Sequence, residues 1–216
     1  MRIVIFGASG RTGIPLVEQA LAAGHEVVSF ARKAGKLPPS LADRAGGRME
    51  VVEGDVLTPA DVNRAFEGKA PDAVVSVLGP TKGAPDDLLP AAARAIVSAM
   101  KAKGARRLVW MTGAGVPADG DEPKLADHLI RGALRLFAGK VLAQSQAAVD
   151  IVKTSGLDWT VVRVPMLVDG EPAGNFKVGR VGVGTGPKLI RADGAAFLLK
   201  EVESPEHVHR LPVVSN

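Results

Sequence analysis

The 216-residue sequence predicts an α/β fold, a doubly wound, Rossmann-type parallel sheet with helices on both faces. Three observations predict it. Short β-branched apolar runs recur along the chain without polar alternation, the pattern of strands buried on both sides. Longer stretches with helical spacing lie between them, so strand and helix alternate. A glycine loop, Gly7-Ala8-Ser9-Gly10-Arg11-Thr12-Gly13, follows the first apolar run directly and opens the first helical stretch.

In order, strands are expected at 2–6, 26–31, 49–53, 72–78, 106–112 and 158–164. Helices are expected at 12–23, 59–66 and 86–103, and a long one from about 123 to 154 should break near Ala138-Gly139. Gly24, Gly68, Gly104 and Gly156 each follow a helical run, where a left-handed residue is needed to close the helix. Leu89, Ala92, Ile96 and Met100 recur at helical spacing and mark a buried face. After Pro165 the chain turns glycine-rich, so irregular excursions with short strands are expected, then a helix at 193–202 and a last strand at 208–214. Residues from about 165 to 216 follow the sixth strand and should form the substrate-side wall of a single domain spanning 1–216.

The length suits one domain with a large core. An apolar share of 46% against 23% charged excludes a disordered or fibrous chain. The absence of cysteine removes disulfides, thiolate nucleophiles and cysteine metal sites, and fits a reducing compartment. The first strand starts at residue 2, which leaves no room for a cleavable signal, and no apolar stretch reaches membrane-spanning length. A cytoplasmic protein, monomeric or homodimeric and without a membrane partner, is expected. The net charge of +4 is spread over Arg32-Lys33, Lys101 and Lys103, Arg106-Arg107, and Arg131 and Arg135, and aromatics are too few to stack bases. A solvated surface with an anionic cofactor accounts for this balance, and no nucleic-acid partner is expected.

The glycine loop carries the chemistry. Gly7 lets the chain turn off the strand, Gly10 lets backbone N–H groups approach a pyrophosphate, and Gly13 lets the helix pack against the sheet. Ser9, Arg11 and Thr12 complete that cradle, and the helix N-terminus stabilises the phosphate charge. In such units an acid about 20 residues further on bonds the ribose hydroxyls of the non-phosphorylated dinucleotide. Here the second strand ends Ser29-Phe30-Ala31-Arg32-Lys33, with no acid. Arg32 offers a planar fork and Lys33 a point charge to a 2′-phosphate, and Arg11 would add a second guanidinium. NADP(H) is therefore expected over NAD(H). In Gly54-Asp55-Val56, Asp55 can accept from an adenine amine with Val56 against the ring; a turn aspartate is the plain alternative.

These residues, with Val77-Leu78-Gly79, Val109 to Gly113 and Ser155-Gly156-Leu157-Asp158-Trp159-Thr160-Val161-Val162-Arg163-Val164-Pro165, resemble the atypical short-chain dehydrogenase/reductases, in particular the NmrA-like NAD(P)H-binding proteins and the flavin reductase or biliverdin-IXβ reductase group. The last segment looks like the family's SGLDWTxxRP signature. Val164 departs from the usual Arg-Pro pair, while Pro165 remains. The resemblance implies that Leu78 and Gly79 line the path from adenosine to nicotinamide. It implies further that Thr112 and Gly113 sit near the nicotinamide ribose, and that Pro165 and Met166, with Leu167, flank the nicotinamide.

The wider superfamily uses a tyrosine and, one helical turn later, a lysine that lowers the phenol's pKa. This chain has no tyrosine. Counting back from Ser155 places the two positions at Val141 and Ser145; Lys140 is adjacent, but one residue on a helix turns a side chain about 100° away. Carbonyl reduction by that dyad is excluded. Thr112 stands near the place of the superfamily's serine and can orient a substrate. His128 is the histidine expected nearest the site, as a proton donor or simply as a surface residue. His25 precedes the second strand, while His207 and His209 should share one face of the last, with no third ligand for a metal. The expected function is an NADPH-dependent reductase of a flavin, quinone or tetrapyrrole-like acceptor, which needs binding and orientation more than an acid, with loops 112–117 and 166–186 holding the substrate. The alternative is a non-catalytic NADP(H)-binding sensor. A sugar-nucleotide epimerase or dehydratase is opposed by the short region after Pro165 and the absent phenol.

Overall fold

The strand that precedes the glycine loop, β1 (Arg2–Phe6), lies inside the sheet with Ile3, Val4, Ile5 and Phe6 all buried. The computed structural model describes residues 1–80, 83–123 and 125–216, and nothing of the side chains of 124–137. Parallel to β1 run β2 (Glu26–Ala31) on one side and β4 (Ala73–Ser76) on the other. With β3 (Met49–Glu53), β5 (Arg107–Gly113), β6 (Asp158–Val164), β8 (Lys177–Gly179) and β10 (Val213–Ser215) they form an eight-stranded sheet ordered β3-β2-β1-β4-β5-β6-β10-β8. β8 is an antiparallel edge strand, and β7 (Met166–Val168) pairs with β9 (Lys188–Ile190) in a separate ribbon. The sheet grows outward from β1 to β3, then resumes at β4 on the other side. The crevice at that reversal lies beside the glycine loop.

Successive side chains of a strand point to opposite faces, so the apolar runs feed two cores. Val4, Phe6, Val28 and Phe30 meet α3 (Pro59–Arg64), α4 (Leu88–Lys103) and α5 (Leu125–Lys153) on one face. Ile3, Ile5 and Val27 meet α1 (Gly13–Ala22), α2 (Pro39–Ala45) and α6 (Arg191–Glu203) on the other. Leu89, Ala92, Ile96 and Met100 form the buried face of α4. Gly24, Gly68, Gly104 and Gly156 all adopt positive φ after their helices. The long helix breaks where it should: Ala138 leaves the helical region, at φ −135° and ψ 26°.

Three expectations need correction. A 3-10 turn at Ala34–Lys36 and helix α2 fill the interval 32–48, which showed no element in the sequence; α2 has seven residues, opens on Pro39 and buries only Leu41 and Ala45, too short a pattern to register. The last strand begins at Val213 rather than 208, because Pro205 and Pro212 bracket the segment and Pro212 has no N–H to give a ladder. His207 and His209 therefore share no strand face: His207 Nδ1 lies 2.6 Å from Glu201 Oε1, while His209, at φ 57°, rests on Trp159 with Nε2 3.0 Å from the Leu157 carbonyl. Third, the basic surface is smaller than its residues suggested. Arg107 is buried, with Nε and Nη2 donating to the Glu201 carbonyl at 3.1 and 2.7 Å, and burial pulls its guanidinium below the usual value against the charge of Glu201. No helix among the described residues is long and apolar enough to cross a membrane.

Candidate functional site

Gly7 turns off β1 at φ +86°, and a Cβ there would press on the Val77 backbone at 3.2 Å. The Gly10 N–H donates to the Gly7 carbonyl, and the Ile14 N–H to that of Gly10. At Gly13 a Cβ would stand 2.1 Å from the Gly7 carbonyl oxygen and 2.6 Å from that of Ala8, so glycine alone seats α1 this close to the loop. Thr12 makes no side-chain cap and the first turn of α1 holds no acid, which leaves the positive helix end facing the crevice. A cradle that side chains would fill, closed by an uncapped helix terminus, fits a pyrophosphate. Ser9 borders this loop half-buried.

At the end of β2, Arg32 and Lys33 are exposed. Beside them is a carboxylate that the local sequence did not place there: Glu53, from the end of β3, accepts the Ala34 N–H at 2.7 Å. Asp55 forms a turn, its Oδ1 accepting from the Leu57 N–H at 2.9 Å while its own N–H donates to Asp61. That bond, together with Arg64, holds the Asp61 carboxyl below its ordinary pKa. Val56 is buried in the core.

Where β4, β5 and β6 end, a cavity of about 340 Å³ opens. Leu78, Gly79, Thr112, Gly113 and Pro165, from the ends of three separate strands, converge on its wall. Val141 and Ser145 join them from α5, one turn apart beyond the break at Ala138, which also borders the cavity. Met166 does not reach it: the side chain is 58% exposed, and its strand neighbour Leu167 faces inward instead. Val164 lines the cavity too, and its carbonyl accepts the Ala114 N–H at 2.7 Å, so β6 keeps its pairing up to the residue before Pro165. Lys140 turns away and places Nζ 2.7 Å from Asp86, a hydrogen bond that raises its pKa. His128 lies outside the described side chains. His25 pairs with Glu203 at the end of α6. Among the described residues, no group of three or more histidine, aspartate or glutamate side chains gathers as a metal site.

Two arrangements escaped the sequence. Arg191, first residue of α6, is 8% exposed and lines the cavity. Its Nη1 donates to Asp169 at 2.8 Å, and the other oxygen of Asp169 stands 3.8 Å from Arg11, so Arg11 is engaged by the chain beyond β7. The visible signal was an arginine opening a helix directly after the glycine-rich stretch. Behind the cavity, Arg163 is fully buried and grips Asp121 through Nη1 and Nη2 at 2.7 and 2.9 Å.

A model of the NAD(P)H-binding family matches residues 7–205. The chain belongs to this family. The NAD(P)H-binding chain is 30% identical over 225 residues to the uncharacterised protein YwnB of Bacillus subtilis strain 168, covering 100% of this chain and 99% of that one. A short-chain dehydrogenase/reductase of Veillonella parvula, solved with NADP, aligns at a TM-score of 0.82 with 18% identity, over 100% of this chain and 94% of that one. ChuY, an anaerobillin reductase from Escherichia coli O157:H7, aligns at 0.78 with 22% identity, over 100% and 97%. These structures share the NAD(P)-binding Rossmann fold from end to end.

Proposed function

We propose that the protein is an NADPH-dependent reductase of a small conjugated acceptor: a flavin, a quinone or a tetrapyrrole-like molecule. One observation carries this reading. The cavity beside the glycine loop has largely apolar walls, and Val141 and Ser145 stand on the helix face where a phenol and an ammonium would be needed to protonate a carbonyl. Thr112 and Ser145 offer hydroxyls that orient a ligand but are weak acids. When bound, the reduced nicotinamide supplies a hydride, and a conjugated acceptor takes that pair of electrons and draws its balancing proton from water. The chain's own work is then binding, alignment and exclusion of solvent.

In this reading Gly7, Ser9, Gly10, Arg11, Thr12 and Gly13 hold the pyrophosphate, Arg32 and Lys33 the 2′-phosphate, and Asp55 and Val56 the adenine. Leu78, Gly79, Thr112 and Gly113 follow the cofactor to its nicotinamide end, which Pro165 flanks. Residues from about 165 to 216 form the substrate-side wall of one domain. An E. coli protein of the same fold is named an anaerobillin reductase, which supports a small-molecule acceptor.

The test is NADPH oxidation by purified protein with flavin mononucleotide, dichlorophenolindophenol and quinones. Turnover with one class is expected; binding of NADPH without oxidation by any would overturn the proposal. That second outcome is what a non-catalytic NADP(H) sensor predicts, with similar affinity for both redox states, and Val141 in place of a phenol favours it as the alternative. For cofactor choice, Arg32→Ala should weaken NADPH by about 1–3 kcal/mol and leave NADH little changed. Glu53 is the carboxylate that would otherwise favour ribose hydroxyls, so equal losses would show that Arg32 does not read the phosphate.

A further inference from the structure

The chain buries several guanidinium groups, and one of them is used differently from the rest. Arg163 donates from Nε to the Leu211 carbonyl and from its other nitrogens to Val116 and Asp121. Arg107 donates from Nε, Nη1 and Nη2 to the carbonyls of Glu201 and Asp158. Arg191 is withdrawn from water to a similar degree, yet its bond to Asp169 is the one hydrogen bond it makes among the described residues. A guanidinium carries five N–H donors in a rigid fork, and no nitrogen of Arg191 is sealed in the core without a partner, so its unbonded donors stay open to a ligand. The side chain whose donors are left over is the one that borders the cavity.

Its partner is weakly held. Asp169 is 71% exposed, so water competes for that carboxylate. It also stands between Arg191 and Arg11 of the glycine loop, at 2.8 and 3.8 Å, which separates Arg191 from the phosphate cradle. The same cavity wall carries Leu78, Met111 and Leu167, apolar surface for a flat ring.

We propose that Arg191 anchors an anionic substituent, a carboxylate or a phosphate, carried by the conjugated acceptor. The idea rests on the reductase reading for the nature of the ring. The fork geometry matches planar, bidentate recognition of such an anion. Leu78, Met111 and Leu167 hold the ring while Arg191 sets which end enters.

The test is equilibrium binding to NADP⁺-loaded protein with two matched pairs of probes. One pair is riboflavin and flavin mononucleotide; the other is a linear tetrapyrrole with free propionates and its dimethyl ester. In at least one pair the anionic member should bind about tenfold to a hundredfold more tightly than its neutral partner. Discrimination within the flavins alone assigns a phosphate ligand, and within the tetrapyrroles alone a carboxylate. Arg191→Gln should abolish the difference and leave neutral-probe and NADPH affinity unchanged, while Arg191→Lys, which keeps the charge, retains part of it. Equal binding of both members of each pair by the native protein overturns the proposal. So does a loss in Arg191→Gln that falls equally on neutral probes or on NADPH, since that would make the residue structural or a cofactor ligand. Because the readout is binding, a failure to oxidise NADPH with any acceptor would reject the reductase reading and leave the Arg191 result standing.

Discussion

Replacing Asp121 with asparagine should cost the fold about 3–5 kcal/mol near neutral pH, the loss expected when one member of a buried ion pair is removed. The side chain of Asp121 is 6% exposed and that of Arg163 is fully buried. Besides Arg163, the carboxylate accepts the N–H groups of Ala118 at 3.0 Å and Val181 at 3.3 Å, so it ties β6 to two loops at once. Asparagine keeps one acceptor, aims an amide at donors, and strands the guanidinium in the interior. Set against a typical total of about 5–15 kcal/mol, the variant forfeits roughly a fifth or more of its stability. The pH dependence has a definite sign. Burial pushes the Asp121 carboxyl upward, but the hydrogen bond from Arg163, the Ala118 N–H, the Arg163 charge and the Val181 N–H outweigh it, and the carboxyl sits below its ordinary value. A depressed folded pKa means that the unfolded chain takes up the proton first as pH falls, so the contribution is complete above about pH 4 and lost through the folded value. Urea unfolding at about pH 7, pH 5 and pH 3 should show a constant gap between native protein and variant at the first two and a narrower one at the third. A gap below about 1 kcal/mol, or one that persists in acid, refutes the reasoning. So does an Arg163→Met, Asp121→Leu double variant less stable than the single one, since apolar replacement of a buried pair is often neutral or better.

Gly13→Ala places its Cβ 2.1 Å from a backbone oxygen that cannot yield cheaply. Urea titration should show a loss of about 3 kcal/mol or more, accompanied by loss of NADPH binding, whereas Gly35→Ala changes little. Lys140→Ala should leave NADPH turnover and melting temperature unaltered, because the ammonium serves Asp86 and stays outside the cavity. Val141→Tyr combined with Ser145→Lys should gain NADPH-dependent reduction of an aromatic ketone, and no gain in a folded, NADPH-binding variant would show that these positions do not face the reacting carbon.

The fold was legible where signals are local and redundant. Arg2–Phe6 reads as a strand by its apolar run, by the glycine loop after it and by its place in the alternation, and every later helix that ends on glycine repeats that agreement. Helix α2 had only its own seven residues to speak for it, and its stability comes from Leu41 and Ala45 packing onto the core of α1. Residues 208–212 read as strand because they are partly apolar, and their backbone does bond β6, the N–H groups of His209, Val161 and Arg163 donating to the carbonyls of Trp159, Arg210 and Pro212, yet Pro212 has no N–H and the regular ladder starts only at Val213.

The site divides along the same line. Its phosphate cradle is contiguous in sequence, so geometry follows from composition: Gly13 is needed because carbonyl oxygens occupy the space a Cβ would take, Gly7 because its φ is +86°, and Gly10 leaves a Cβ only a tight 3.1 Å from the Gly7 oxygen. Its cavity is assembled from chain ends far apart, and there the identity of a residue says little about its task. Arg106 and Arg107 are neighbours of the same type, but the first pairs with Asp158 at the surface with its side chain 66% exposed, while the second, at 10%, is locked to Glu201. Pleat parity and a partner 94 residues away separate them. Arg163 and Arg191 differ in the same manner: Asp121, 42 residues distant, consumes the donors of one, and the cavity keeps those of the other unspent. A buried arginine thus becomes informative only once its hydrogen bonds have been counted, and an incomplete count beside a cavity points to a ligand.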